Sequence, residues 1–177
     1  MSQSFVDRRW NSADDLSLYA RDYAPSGGQA KLPVIAIHGL TRNCRDFEVI
    51  APLIAQSGRR VLAIDVRGRG LSDEARDPMT YQPAQYAQDV LALMQQAGIE
   101  RAVFLGTSMG GLITMALAAI RSKVIAAAII NDVGPEVARE GLMRIAAYSG
   151  QPVDTPTWAD AAAYAKRINA VAFPHYT

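Results

Sequence analysis

The first 130 residues contain four short stretches that are apolar throughout, each bounded by glycine, proline or charged residues. They cover residues 34–37, 61–64, 102–105 and 124–130. A strand buried on both faces of a parallel sheet has this pattern, because neither of its sides meets water. The pattern therefore predicts four strands of a parallel sheet.

Segments of helical length separate these apolar stretches. They cover residues 47–56, 83–97 and 108–120, and Gly58 and Gly98 follow the first two at positions where helices commonly end. The alternation of strands and helices predicts a doubly wound α/β fold with a mostly parallel sheet.

An N-terminal segment alternates between apolar and polar residues instead. In residues 15–23, polar side chains separate Leu16, Leu18 and Ala20. A period of two is typical of an antiparallel strand with one face in water. We expect this strand to pair with residues 5–10.

The pattern changes again in the last quarter of the chain. Gly134-Pro135 interrupts it, and the remainder has the period of two amphipathic helices, over residues 136–148 and 157–172. We therefore predict a core over residues 1–132, followed by a helical segment over residues 133–177.

Charge and composition exclude several classes of function. The 18 basic and 17 acidic residues give a net charge of +1, which provides no field to attract nucleic acid or an anionic membrane. No apolar stretch approaches the roughly 20 residues of a membrane-spanning helix. Cys44 is the only cysteine, which we interpret as incidental, and the N-terminus lacks the pattern of a secretory signal. We expect a cytoplasmic protein without nucleic-acid or membrane partners.

One short motif, Gly106-Thr107-Ser108-Met109-Gly110, has a clear chemical meaning. A serine that projects its hydroxyl from a strand end at the start of a helix occupies a strained turn. Side chains two positions before and after it would collide with backbone, and glycine removes that collision. The motif predicts a nucleophile elbow with Ser108 as the nucleophile. The alternative is an ordinary turn in which Ser108 caps the helix.

Further motifs follow the buried strands in a definite order. They are His38-Gly39-Leu40 after the first strand, residues 65–72 after the second, residues 106–111 at the third and residues 131–135 after the fourth. With these motifs the chain resembles the α/β-hydrolase superfamily, specifically the N-terminal two-thirds of a small bacterial serine hydrolase. The resemblance implies that the C-terminal strands of the sheet are missing here and that residues 133–177 begin a helical lid. It implies no metal or cofactor.

The resemblance also implies roles for individual residues. The backbone N–H groups of Leu40 and Met109 would form an oxyanion hole, which stabilises the negative charge on the reacting carbonyl oxygen. Asp65 and Arg67 would hold a turn. Asp132, at the end of the last strand, is either the acid of a catalytic triad or a tether for the lid segment.

A general base is missing from its expected place. The chain order in these enzymes is nucleophile, acid, histidine, yet the only histidine after Ser108 is His175, which does not match the family's histidine loop. We expect His175, Trp158 and His38 to contact substrate, and none of them to act as the base. The 177-residue chain is therefore expected to be either a fragment of a longer enzyme or a short form with little activity.

These features together predict a serine hydrolase that cleaves a small ester, lactone or thioester through an acyl-enzyme. Cofactor-free perhydrolases and carbon–carbon bond hydrolases share the serine elbow and stay open as alternatives. A non-catalytic module that binds a ligand or partner is a further alternative. Without a following strand, residues 124–130 would form an apolar sheet edge, so we also expect the chain to self-associate.

Overall fold

The computed structural model describes residues 5–27, 31–170 and 174–175. Within them the chain divides into two compact units, one that ends at Glu136 and one that begins at Val137. This division lies just after the boundary predicted at residue 132. The lid function of the second unit stays a prediction.

The first unit is built on a six-stranded mixed sheet. Its strands are β1 (Val6–Asn11), β2 (Ser17–Tyr23), β3 (Val34–Ile37), β4 (Val61–Asp65), β5 (Ala102–Thr107) and β6 (Ile125–Asn131), in the spatial order β1-β2-β4-β3-β5-β6. Neighbouring strands from β3 to β6 pair in parallel. β1 and β2 form the predicted antiparallel pair, and β2 also runs antiparallel to β4. The mostly parallel α/β sheet predicted from the sequence is confirmed.

Helices cover both faces of this sheet. α2 (Pro83–Gln96) and α3 (Met109–Arg121) pack on one face, where they bury apolar side chains of β3, β4 and β5. α1 (Ile50–Gln56) and a short 3₁₀ helix (Cys44–Phe47) pack on the other. β3 and β4 are buried along their whole length, which explains why their sequences are apolar throughout. Among the helices that the structure describes, none is long and apolar enough to cross a membrane.

β6 forms one edge of the sheet in the described part of the chain. It pairs with β5, and several of its side chains are exposed, including Ile129 at 57%. The apolar edge predicted from the sequence is therefore present. The self-association expected from it stays a prediction.

One predicted helix differs from the structure. Residues 47–56 were expected to form a single helix, but the chain forms the 3₁₀ helix first and α1 only from Ile50. The side chain of Asn43 accepts a hydrogen bond from the Arg45 N–H at 3.0 Å and starts a helical turn early. The Glu48 N–H then bonds to the Arg45 carbonyl three residues back, which is the tighter spacing of a 3₁₀ helix.

The second unit contains two helices, α4 (Arg139–Tyr148) and α5 (Trp158–Asn169). α4 begins three residues later than predicted, because Ala138 before it is in an extended conformation that a helix cannot include. α5 begins where Thr157 and Asp160 cap each other's backbone N–H groups. Its predicted continuation over residues 171–172 lies outside the described residues.

Candidate active site

Ser108 lies at a sharp bend between β5 and α3. Its backbone has φ 51° and ψ −114°, and a positive φ is uncommon for any residue other than glycine. β5 ends at Thr107 and α3 begins at Met109, so the turn consists of this one residue. The side chain is half-buried, and its hydroxyl is not hydrogen-bonded within the described part of the chain. The bend predicted from the sequence is present.

Two glycines make this bend sterically feasible. A Cβ on Gly106 would collide with the Gly110 carbonyl, and a Cβ on Gly110 would collide with the Ile37 carbonyl at the end of β3. The first turn of α3 therefore lies directly on the backbone of two strands, at a distance that only glycine permits. This close approach explains the spacing of the two glycines around Ser108.

Two backbone N–H groups near Ser108 make no hydrogen bond within the described residues. Met109 begins α3, and the N–H of a first helical residue has no partner in its own helix. Leu40 follows Gly39 in the loop after β3, and a Cβ built on Gly39 would lie 3.7 Å from the Ser108 Cβ. The loop thus passes beside the serine. The helix N-terminus also favours negative charge, so this arrangement is suited to stabilising an oxyanion.

His38 is fully buried at the end of β3, and both of its ring nitrogens have backbone partners. Nδ1 donates to the Gly39 carbonyl at 2.6 Å, and Nε2 accepts from the Val66 N–H at 3.1 Å. Because a backbone N–H can only donate, we infer that the ring carries its proton on Nδ1. Burial lowers the pKa of His38 below 6.5 and keeps the ring neutral. This geometry favours a structural role, in which His38 holds the loops after β3 and β4 together. The substrate contact predicted for His38 stays a prediction.

The first unit supplies no histidine as a base for Ser108. The chain has two histidines, and of these only His38 belongs to the first unit, where both of its nitrogens are occupied. We therefore find no acceptor for the Ser108 proton among the histidines of the described core.

The loop after β4 is held by the buried carboxylate of Asp65. One carboxylate oxygen accepts from the Cys44 N–H at 2.6 Å, and the other accepts from the Leu71 N–H at 2.8 Å. The Ser72 hydroxyl donates to the Asp65 carbonyl at 2.7 Å. The carboxylate ties its own loop to the loop after β3, so the turn-holding role predicted for Asp65 is confirmed.

Arg67 is fully buried and pairs with two carboxylates. Its guanidinium donates to Asp89 of α2 at 2.7 and 2.6 Å, and to Asp14 of the β1–β2 loop at 2.9 Å twice. The hydrogen bonds from Arg67 lower the pKa of Asp14 to about 2. The predicted role of Arg67 in holding the turn is confirmed. Its two partners were missed, because they lie 53 and 22 positions away and no local pattern links them.

The single cysteine has the properties of a packing residue. Cys44 is buried at the start of the 3₁₀ helix. Burial, followed by the nearby charge of Asp65, raises the pKa of the thiol to about 12. Since only the thiolate is a strong nucleophile, Cys44 has little reactivity near neutral pH. This agrees with its interpretation as incidental.

Asp132 directly follows β6 and is exposed, with a φ of 59°. β5 and β6 are in register at Thr107 and Asn131, and the Ser108 N–H donates to the Asn131 carbonyl at 2.8 Å. Ser108 and Asp132 are therefore the next residues after a matched pair on neighbouring strands. Both interpretations of Asp132, as triad acid and as tether, stay open.

The residues of the second unit that were predicted to contact substrate do not line the cavity found there. This cavity of about 530 Å³ lies between α4, α5 and their connection, with Tyr148, Tyr164 and Arg167 in its wall. Trp158 is 92% exposed at the start of α5, and His175 is also exposed. Contacts of these two side chains with substrate stay predictions.

Comparison with characterised proteins identifies related hydrolases. The chain is 39% identical over 137 residues to 3-hydroxybutyrate-oligomer hydrolase of Cupriavidus necator, a match that covers 77% of this chain and 46% of that protein. It is 34% identical over 103 residues to esterase YbfF of Escherichia coli, covering 58% of this chain and 39% of the relative. The chain thus spans less than half the length of these two relatives.

A solved structure and a family model agree with these relatives. The crystal structure of an alpha/beta hydrolase from Novosphingobium aromaticivorans is 49% identical and superimposes with a TM-score of 0.89, covering 98% of this chain and 60% of that one. The model of the alpha/beta hydrolase fold family matches residues 33–168. Because this match covers most of the chain and agrees with the observed sheet, the chain belongs to the α/β hydrolase fold family.

Proposed function

We propose that the full-length protein is a serine hydrolase that cleaves an ester bond in a small substrate, with Ser108 as the nucleophile. The observation that carries this proposal is the bend at Ser108, which holds a half-exposed hydroxyl at the N-terminus of α3. The strain of a positive φ at a serine is typical of functional sites. Family membership supports the reaction class, and the residue geometry supports the identity of the nucleophile.

The proposed reaction has two steps. The Ser108 hydroxyl loses its proton to a base and attacks the substrate carbonyl, and the N–H groups of Met109 and Leu40 stabilise the oxyanion. As this intermediate collapses, the base returns the proton to the departing alcohol and an acyl-enzyme is left. Water, deprotonated by the same base, then attacks the acyl group, which releases the acid and restores the Ser108 hydroxyl. Since both nitrogens of His38 are occupied, we propose that a residue other than His38 acts as the base. Asp132 is our candidate for the acid that orients it.

The names of two relatives support a choice of substrates to test. One is named for hydrolysis of 3-hydroxybutyrate oligomers and another is an esterase. We propose short esters of hydroxy acids as the first substrates to assay. Small lactones and thioesters are next, because the same attack on a carbonyl carbon cleaves them.

A second candidate is a non-catalytic binding module. The observation that favours it is the lack of an available histidine in the described core around Ser108. In this case Ser108 would keep its strained geometry without acting as a nucleophile.

A fluorophosphonate probe on the full-length protein separates the two candidates. We expect labelling of Ser108, loss of labelling in Ser108→Ala, and unchanged labelling in Ser122→Ala, a matched change at an exposed serine just after α3. Hydrolysis of a short ester by Ser108→Ala should fall by about 10⁴-fold or more. A folded wild-type protein, verified by circular dichroism, that is not labelled would support the binding module instead.

A further inference from the structure

The loop that carries Leu40 is anchored by an arginine from a different loop. Nε of Arg69, which follows β4, donates to the Leu40 carbonyl at 3.2 Å. Leu40, Thr41 and Arg42 are all exposed, so little side-chain packing holds this part of the loop. Two further contacts restrain this segment, since the Arg42 N–H donates to the Gly39 carbonyl at 3.2 Å and the Arg42 guanidinium donates to Asp46. The contact from Arg69 is the one that reaches the segment from the loop after β4.

Arg69 is itself held in a fixed position. Its Nη1 donates to the Arg67 carbonyl at 2.9 Å and to the Tyr86 hydroxyl at 3.3 Å. Its guanidinium lies 5.5 Å from the ring centre of Tyr81 and 5.7 Å from that of Tyr86, within the range of cation–π attraction. Tyr86 is buried, and the Tyr81 hydroxyl accepts from the Ala75 N–H at 2.9 Å. The guanidinium of Arg69 is thus held by its own loop and by two tyrosines, of which Tyr86 is buried.

The two peptide groups on either side of Leu40 are held separately. The Gly39 carbonyl accepts from His38 Nδ1, and this carbonyl belongs to the same planar peptide group as the Leu40 N–H. The Leu40 carbonyl, in the next peptide group, accepts from Arg69. His38 thus restrains the peptide plane that contains the Leu40 N–H, and Arg69 restrains the next plane, which limits rotation of the backbone at Leu40.

We propose that Arg69 is a positioning residue for the oxyanion hole, acting through the Leu40 backbone. This inference rests on the proposed function, since it requires that Leu40 donates to the oxyanion. A donor aimed in advance at the developing charge stabilises the transition state more than the bound substrate. Arg69 therefore contributes to turnover and little to substrate affinity.

The test is Arg69→Met in the full-length protein, which keeps the unbranched stem of the side chain and removes the guanidinium with its donors. We expect kcat for a short ester to fall by about 10-fold, less than the 10²- to 10³-fold typical of deleting an oxyanion donor, because the N–H is still present. KM should stay within about twofold. The inhibition constant of a trifluoromethyl ketone, which forms a tetrahedral adduct with the serine, should rise by the same factor as kcat falls.

The inhibition constant distinguishes positioning from a merely structural role. Partial unfolding lowers the amount of active enzyme and hence the apparent kcat, but it leaves the inhibition constant of the remaining molecules unchanged. Arg76→Met, at an exposed arginine of the same long connection, is the matched control and should resemble wild type. Arg69→Lys keeps a cation near the tyrosines but lacks the fork that reaches two carbonyls, so it should be impaired in the same sense.

Each outcome decides the proposal. If wild type is labelled by fluorophosphonate and both Arg69 variants keep the wild-type inhibition constant, Arg69 does not position Leu40, and the proposed function still stands. If Arg69→Met does not fold, Arg69→Lys carries the test. Loss of folding in both variants would assign Arg69 to the fold and overturn the proposal. Absence of labelling in wild type would instead refute the proposed function itself.

Discussion

Ser108 is held in a conformation that costs about 1–3 kcal/mol in an isolated chain. Its surroundings offset this cost through backbone hydrogen bonds. The Ser108 N–H donates to the Asn131 carbonyl at 2.8 Å, and its carbonyl accepts from the N–H groups of Gly111 and Leu112 at 2.8 and 3.2 Å. The strained residue is thus fixed by β6 on one side and by the first turn of α3 on the other. Its side chain is the part of the residue that is left to react.

His38 should make the stability of the protein depend on pH. Burial lowers the pKa of His38 in the folded state below its ordinary value of 6.5. As the pH falls below about 6.5, the unfolded chain binds a proton that the folded protein does not. The contribution of His38 to stability is therefore fully present above this pH and decreases as the pH falls below it. We expect the free energy of unfolding to fall by up to about 1.4 kcal/mol for each pH unit below 6.5.

Urea unfolding between pH 5 and pH 7.5 measures this contribution. His38→Gln should be less stable than wild type near neutral pH, but its stability should depend less on pH. His175→Gln, which removes the exposed histidine, should follow the wild-type curve. An equal pH dependence in wild type and His38→Gln would show that His38 titrates alike in both states.

At the scale of elements, the site depends on how closely α3 lies on the sheet. The helix begins immediately after β5, and its first turn contacts the backbone of β3 at Gly110. The loops after β3 and β4 are joined in turn by Asp65, His38 and Arg69. The ends of β3 and β4 are therefore joined by hydrogen bonds, and the first turn of α3, after β5, lies against the end of β3 through the close contact at Gly110.

Gly110→Ala tests the contact between α3 and β3. The added methyl group would collide with the Ile37 carbonyl, so either the helix or the strand has to shift. We expect a loss of about 2–4 kcal/mol in the free energy of unfolding, although alanine is the better helix former. Gly134→Ala is the matched control, because its Cβ would meet only the Glu136 carbonyl, at 3.7 Å. Chemical denaturation of both variants gives the comparison, and equal stabilities would contradict the close packing.

At the scale of the whole molecule, the exposed edge at β6 is the feature of the described chain that most favours aggregation. An apolar edge strand presents unpaired backbone groups that a second chain can pair with. We expect the 177-residue chain, expressed by itself, to self-associate through β6. Sedimentation velocity at increasing concentration measures this association.

A charged residue on the edge should weaken that association. Ile129→Lys replaces the most exposed isoleucine of β6 with a cation and should shift the association equilibrium toward monomer. Ile120→Lys, a matched change at an exposed position of α3, should leave the association as it is. A monodisperse monomer of the unsubstituted chain would contradict the expectation.

Sequence patterns predicted the strands and the elbow better than the hydrogen-bond partners of individual side chains. The apolar runs predicted the bounds of β3 to β6 within a residue or two, because a strand that is buried on both faces has apolar residues at every position. The elbow was predictable because the two glycines stand where any larger residue would collide with nearby backbone. The partners of His38 and Arg67 were not, since Val66 lies 28 positions from the histidine and Asp14 lies 53 from the arginine. Such contacts depend on the strand order, which hydrophobic period does not specify.

Cys44 makes the contact of the Asp65 carboxylate with the loop after β3 accessible to measurement. Its backbone N–H binds the carboxylate that joins the two strand-end loops, and its thiol is buried beside that carboxylate. A disulfide reagent can modify it only when this region opens, and no second thiol competes, since the chain has one cysteine. The rate of thiol modification in native buffer therefore measures how often the loops after β3 and β4 open.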